Sequence, residues 1–283
     1  MLYFDAFNGV SGDMVLGALV DLGLPVRHLK QELAGLALEG YRLVTNEIER
    51  QGIRGINFQV QTAESSTHHS HRGFSTIQSL IQKSRMDLWV KERAIAIFRR
   101  LGEAEAKVHG LSLEEVHFHE VGAVDSIVDI VGACIGFKYL GVERFYSSPL
   151  TLGGGTVTFS HGTWPVPTPA TVQLVAQFPV LLGTVQGELA TPTGAAIVTT
   201  LVEQSVMDPC VFERSGFGAG DSEFEDIPNM LRLLLARSLK TDDLGAVESI
   251  EELGWGEEEV CVLEANIDDM DAQMFGYFMD LAM

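Results

Sequence analysis

LYFDAFNGVSGDMVLGALVDLG, residues 2–23, decides the fold. Leu2–Phe7 is short, apolar and β-prone, so it reads as a buried strand. Asn8–Gly12 is a turn. Asp13–Leu22 is apolar on nearly every side and reads as a buried helix. A strand passing through a glycine turn into a helix is the building unit of an α/β protein.

The same alternation continues outward. Val26, Leu29, Leu33 and Leu36 recur at helical spacing. Ile56, Phe58 and Val60 alternate with Asn57, Gln59 and Gln61, the pattern of a half-buried strand. Glu64–Gly73 is polar and rich in Ser and His, which predicts a loop. A helix is predicted from near Ser75, and a longer one over Asp87–His109 with Val90, Ala94, Phe98 and Leu101 on one face. Ser112 and Glu115 have capping-box spacing. Val124–Leu140 reads as an apolar helix, Arg144–Leu150 as a strand, and Gly153–Gly155 as a tight turn into another strand. Thr168-Pro169 and Thr191-Pro192 each place a cap residue before a proline suited to a first helical turn. Asn229–Ala236 and Val260–Ile267 read as strands. The expected class is α/β, a mixed sheet with flanking helices.

The 283 residues are 46% hydrophobic, enough for a substantial core. The net charge of -20 repels phosphate backbones and anionic lipid, which argues against nucleic acid and membrane surfaces as partners. No run approaches the roughly 18 apolar residues of a membrane span. The N-terminus lacks a signal-peptide pattern. Cys134, Cys210 and Cys261 are scattered and odd in number, as expected of thiols in a reducing cytoplasm. Residues 241–283 hold 13 acids and no Lys or Arg. The expected organisation is therefore a main domain over 1–240, an acidic linker over 241–259, and the start of a further domain over 260–283.

Several windows carry chemistry-bearing residues. In His117-Phe118-His119-Glu120, the two histidines share a side of an extended segment. Asp125 and Asp129 share a face of the following helix. Such a set suits a divalent metal or a carboxylate-tuned base, and equally a cap with a buried polar network. His68, His69 and His71 form a run able to hold nickel, zinc or copper exchangeably, or simply a solvated loop. Around Gly9, Ser11 and Gly12 the turn exposes backbone N–H groups, and Asp5 and Asp13 stand by to hold a divalent ion against a phosphate; a capped tight turn explains the same residues. Thr191, Thr193 and Gly194 open a helix as an anion site or as plain capping. His161, in the proline-rich run after Gly153–Gly155, either faces a site or packs in a turn. Gly216–Gly220 reads as a ligand-wrapping segment or a loop.

Five stretches occur here in the order they have in one family: FDAFNGVSGDMVLGALVDLG, HFHEVGAVDSIVDIVG, GGGTVTFSHGTWPVPTPAT, GELATPTGAA and GFGAGD…PNMLR. Together they resemble LarC-type nickel-insertion proteins across essentially the whole chain. The resemblance implies insertion of nickel into a pyridinium mononucleotide bearing two thiocarboxylates, a nickel chelatase of the lyase class. It implies the nickel pincer cofactor as product, with a lactate racemase-type apoenzyme as recipient. It further implies use of CTP with Mg or Mn, a cytoplasmic setting and a homo-oligomer. On this reading His117 or His119, tuned by Glu120 and with Asp125 nearby, takes the proton released when the nickel–carbon bond forms. Asp5, Asp13, Asp125 and Asp129 bind the divalent ion or steer the cationic ring. Gly9–Gly12 or Thr191–Gly194 takes the phosphate. The stretch Glu264–Met270 matches the opening of the family's nucleotide-associated C-terminal domain, so a truncated chain with doubtful CTP use of its own is expected. A nickel carrier using His68, His69 and His71, and a metal-dependent phosphohydrolase, are the competing expectations.

Overall fold

Leu2 and Phe4 are fully buried and form β1 (Leu2–Asp5). The chain then turns at Gly9, whose φ of 98° a side chain would resist, and enters α1 (Gly12–Asp21). The computed structural model describes residues 1–62, 72–116, 118, 124–159, 161–183, 185–202, 207, 209–225 and 227–239. The described residues belong to a single unit, Met1–Leu239. The expected linker and second-domain start, 241–283, lie outside them.

After α1 come α2 (Val26–Leu33), the hairpin β2 (Tyr41–Arg50) and β3 (Ile53–Thr62), then α3 (Phe74–Lys83) and α4 (Leu88–His109). The Asp87 carboxylate caps α4 by accepting from the Trp89 N–H at 2.8 Å. Val90, Ala94, Phe98 and Leu101 are buried, as the spacing predicts. Next are α5 (Val124–Tyr139), β4 (Phe145–Ser147), β5 (Leu150–Thr151), β6 (Gly153–Gly154), and the hairpin β7 (Thr156–Phe159) and β8 (Gly162–Pro165). The series closes with α6 (Pro169–Leu174), β9 (Val180–Leu181), β10 (Gly187–Glu188), α7 (Pro192–Leu201), β11 (Cys210–Ala219) and β12 (Met230–Ser238).

Six strands form one sheet in the order β2-β3-β11-β12-β1-β4. Its pairings are mixed: β1 runs antiparallel to β12 and parallel to β4, and β3 runs parallel to β11. The class is the mixed α/β arrangement expected. Helix α1 lies on β3 and β11, α5 packs on α1, and α4 packs on α5, α6 and α7. Phe4 joins sheet to helix through an edge contact with Phe137 at 5.8 Å.

Three local features add to the sequence reading or depart from it. Tyr41–Arg50 is a strand although its sequence gives no clear alternation, because it is the sheet edge and exposes much of its length to water. Ser112 and Glu115 do close a capping box, with Ser112 N–H and Oγ donating to Glu115 at 3.0 and 2.7 Å, yet only a turn forms there. Gly216 and Gly218 belong to β11 rather than to a loop, and their role is packing: a Cβ on either would overlap the carbonyl of Ala18 or Met14 on α1. The glycines let the helix lie close on the strand.

Candidate functional site

Two regions of the unit gather chemistry. The first is a joint at the carboxyl end of β1, where α1, α5 and α7 begin. Gly9 N–H donates to Ala6 O at 3.0 Å and Val10 N–H to Leu189 O at 2.9 Å, while Thr191 N–H donates to Val10 O at 3.0 Å. The two glycine turns read separately in the sequence are thus bonded to each other. A Cβ on Gly194 would lie 2.7 Å from the Ser11 Cα, and one on Gly9 2.7 Å from the Leu189 Cβ. Thr191 caps α7, its hydroxyl accepting from Gly194 N–H at 3.3 Å and meeting the Thr193 hydroxyl at 3.0 Å. Several amides expected to face an anion are therefore spent inside the protein.

Carboxylates crowd this joint. Ser11 donates its hydroxyl to Asp13. Burial pushes the Asp13 carboxyl above its ordinary value, against the lowering effect of the Ser11 bond, and the charge of Asp221 adds to the rise. Asp129 is pushed well above the ordinary range by the loss of solvation and then by the charges of Asp13 and Asp125. Its Oδ1 is buried without a hydrogen-bond partner among the described residues. Gly12 is required beside it, since a Cβ there would lie 2.7 Å from the Asp129 side chain. Asp221 is held by Asn57 and Gln59, whose amides donate at 2.8 and 3.1 Å; this is why Asn57, expected on the wet face, is buried. Asp5 is elsewhere engaged, accepting from Arg232 Nε at 2.8 Å and in an ion pair with it. Among the described residues no three His, Cys, Asp or Glu side chains converge as a ready metal cage.

The second region is a cavity of about 660 Å³, within the usual range of small-molecule sites. Its walls come from the last turns of α4 (Glu105, His109), the β7–β8 hairpin (Phe159, His161, Trp164), the starts of α6 and α7, and Glu188. His109 and His161 meet at 5.0 Å between ring centroids with their planes tilted by 54°, and His109 Nε2 lies 3.5 Å from a Glu105 carboxylate oxygen. Thr168 donates to Glu188 at 3.1 Å, and the Trp164 indole N–H donates to His161 O at 3.0 Å. Pro192 lines this cavity while Gly194 abuts Val10, so the start of α7 borders both regions.

His68, His69, His71, His117, His119 and Glu120 lie outside the described residues. Val116 and Phe118 are buried, and Phe118 packs against Phe98 at 6.4 Å and would meet any side chain at Gly102. Phe118 is thereby seated one turn from Glu105 on α4. The sequence flagged His161 but passed over Glu105, His109, Trp164 and Glu188; the two acids and Trp164 carry no local pattern, and His109 looks like an ordinary C-terminal helix residue.

A family model described as nickel insertion protein matches residues 2–283. A putative nickel insertion protein of a Geobacter species is 47% identical over 279 residues, covering 98% of this chain and 69% of the relative. A protein of Desulfitobacterium hafniense named pyridinium-3,5-bisthiocarboxylic acid mononucleotide nickel insertion protein is also 47% identical, over 98% of this chain and 67% of its own. A putative nickel insertion protein of Wolinella succinogenes is 45% identical over 99% of this chain and 67% of its own. No solved structure matches.

Proposed function

The chain belongs to the family of nickel insertion proteins, and we propose that it inserts nickel into pyridinium-3,5-bisthiocarboxylic acid mononucleotide to form the nickel pincer cofactor. The observation that carries this reading is the 47% identity, over nearly the whole chain, to a relative bearing that substrate in its name. Nickel is cargo here, captured by His68, His69 and His71, whose imidazoles suit a borderline-soft metal.

Forming the nickel–carbon bond breaks a ring C–H bond and releases a proton. His117 or His119 accepts it, with Glu120 tuning the imidazole and Asp125 supporting the step. Mg or Mn, entering with CTP, fits the joint: Asp129 Oδ1 is a buried carboxylate oxygen with no hydrogen-bond partner among the described residues, the poorly solvated Asp13 stands beside it, and hard divalent ions prefer such ligands. Such an ion would offset the crowded negative charge and let Ser11, Thr191, Thr193 and the backbone of Gly12 hold the phosphate beside it, while Gly9 and Gly194, their amides bonded inside the protein, fix the two turns. Asp5 would have to exchange Arg232 to join them. A lactate racemase-type apoenzyme receives the product, and the protein works as a cytoplasmic homo-oligomer.

The test is substitution of His117, His119 and Asp125 by Ala, one at a time, with product read by mass spectrometry. Each folded variant is expected to lose insertion. Full activity in all three would overturn these roles.

A further inference from the structure

We propose that the 660 Å³ cavity beside α4 is the seat of a flat, positively charged N-substituted heteroaromatic ring. The assignment rests on the insertion reading above for the ring's identity, but on the cavity's own walls for its chemistry. Phe159 and Trp164 supply aromatic surface, and Glu105 and Glu188 supply carboxylates. No Lys or Arg is among the described lining residues. That combination repels a phosphate and attracts a delocalised cation, through Coulomb attraction and through the negative face of an indole.

Trp164 is held in place, because its N–H donates to His161 O at 3.0 Å within the same hairpin. It is nonetheless 42% exposed, a large aromatic ring left at a cavity wall instead of in the core. Glu188 is likewise fixed by the Thr168 hydroxyl at 3.1 Å. Glu105, on the opposite helix, pairs with His109 at 3.5 Å. A ring entering here brings its substituted nitrogen toward two carboxylates while its face lies on the hairpin. The phosphate end of a mononucleotide is then left outside the acidic walls, toward the start of α7 that Pro192 brings to the cavity edge.

The experiment measures binding of 1-methylnicotinamide, a cation, and nicotinamide, its neutral counterpart, to the full chain by calorimetry. The cation is expected to bind about tenfold tighter, equivalent to roughly 1.4 kcal/mol. Trp164→Ala is expected to weaken it about tenfold, Glu188→Gln by a few-fold, and Trp164→Phe to restore most of the loss. Equal affinity for the two probes, no binding of either, or an unchanged Trp164→Ala variant would overturn the assignment. The two readings separate cleanly. Cation binding lost in Trp164→Ala, in a protein that inserts no nickel, would support the cavity and sink the insertion reading. Insertion with an unchanged KM in Trp164→Ala would sink the cavity and keep the insertion reading.

Discussion

The joint and the cavity share the start of α7 but are built by opposite means. The joint is tightly packed: Asp13 and Asp129 are half-buried and poorly solvated, and Gly9, Gly12 and Gly194 leave no room for a Cβ. The cavity is open, and its Trp164 is partly exposed. Charge held out of water stores electrostatic tension that only a proton or a cation relieves. Aromatic surface held in water stands ready for a ligand. One region is thus suited to hold an ion and the other to receive an organic ring.

The contrast breaks most visibly at Gly9. Gly9→Ala forces a side chain onto a φ of 98° and into the Leu189 backbone, and is expected to cost about 3 kcal/mol or more, read by thermal unfolding. A loss under about 1 kcal/mol would mean the joint is looser than described.

Asp129→Asn acts in the other direction. The folded pKa of Asp129 lies above its unfolded value, so the folded state binds more protons and stability falls as pH rises from about 4 through the folded value. Removing the charge is expected to raise the neutral-pH Tm of metal-free protein by roughly 2–4 °C or more, an advantage that vanishes as pH falls toward about 4. Mn is expected to stabilise the parent but not this variant. A variant less stable than the parent at neutral pH would contradict the charge tension.

At the cavity, Trp164→Ala is expected to change stability by no more than about 0.5 kcal/mol while raising the KM for the mononucleotide. A large loss of stability would make Trp164 structural. Between these extremes, Asp87→Ala removes a helix cap remote from both regions and is expected to cost about 1 kcal/mol without altering KM, a baseline against which the other effects are judged.

The joint was legible because its parts are short continuous runs: a strand, a glycine turn and an aspartate within Leu2–Asp13, and two acids a helical turn apart at Asp125 and Asp129. What the sequence hid was why the glycines are there. Gly216 and Gly218 suggest a ligand loop, yet they permit close approach of α1 to β11. The cavity was not legible because its walls span Glu105 to Pro192 and meet only through packing of α4 against α6 and α7. Likewise β2 escaped notice because an edge strand need not alternate.

The central claim is tested most directly by incubating the purified chain with nickel, CTP, Mg or Mn and pyridinium-3,5-bisthiocarboxylic acid mononucleotide, then reading the product's nickel isotope pattern by mass spectrometry. A nickel-bearing product that fails to form when either nickel or the mononucleotide is omitted is the expected result. Folded protein that leaves the mononucleotide unchanged with every component present would contradict the account.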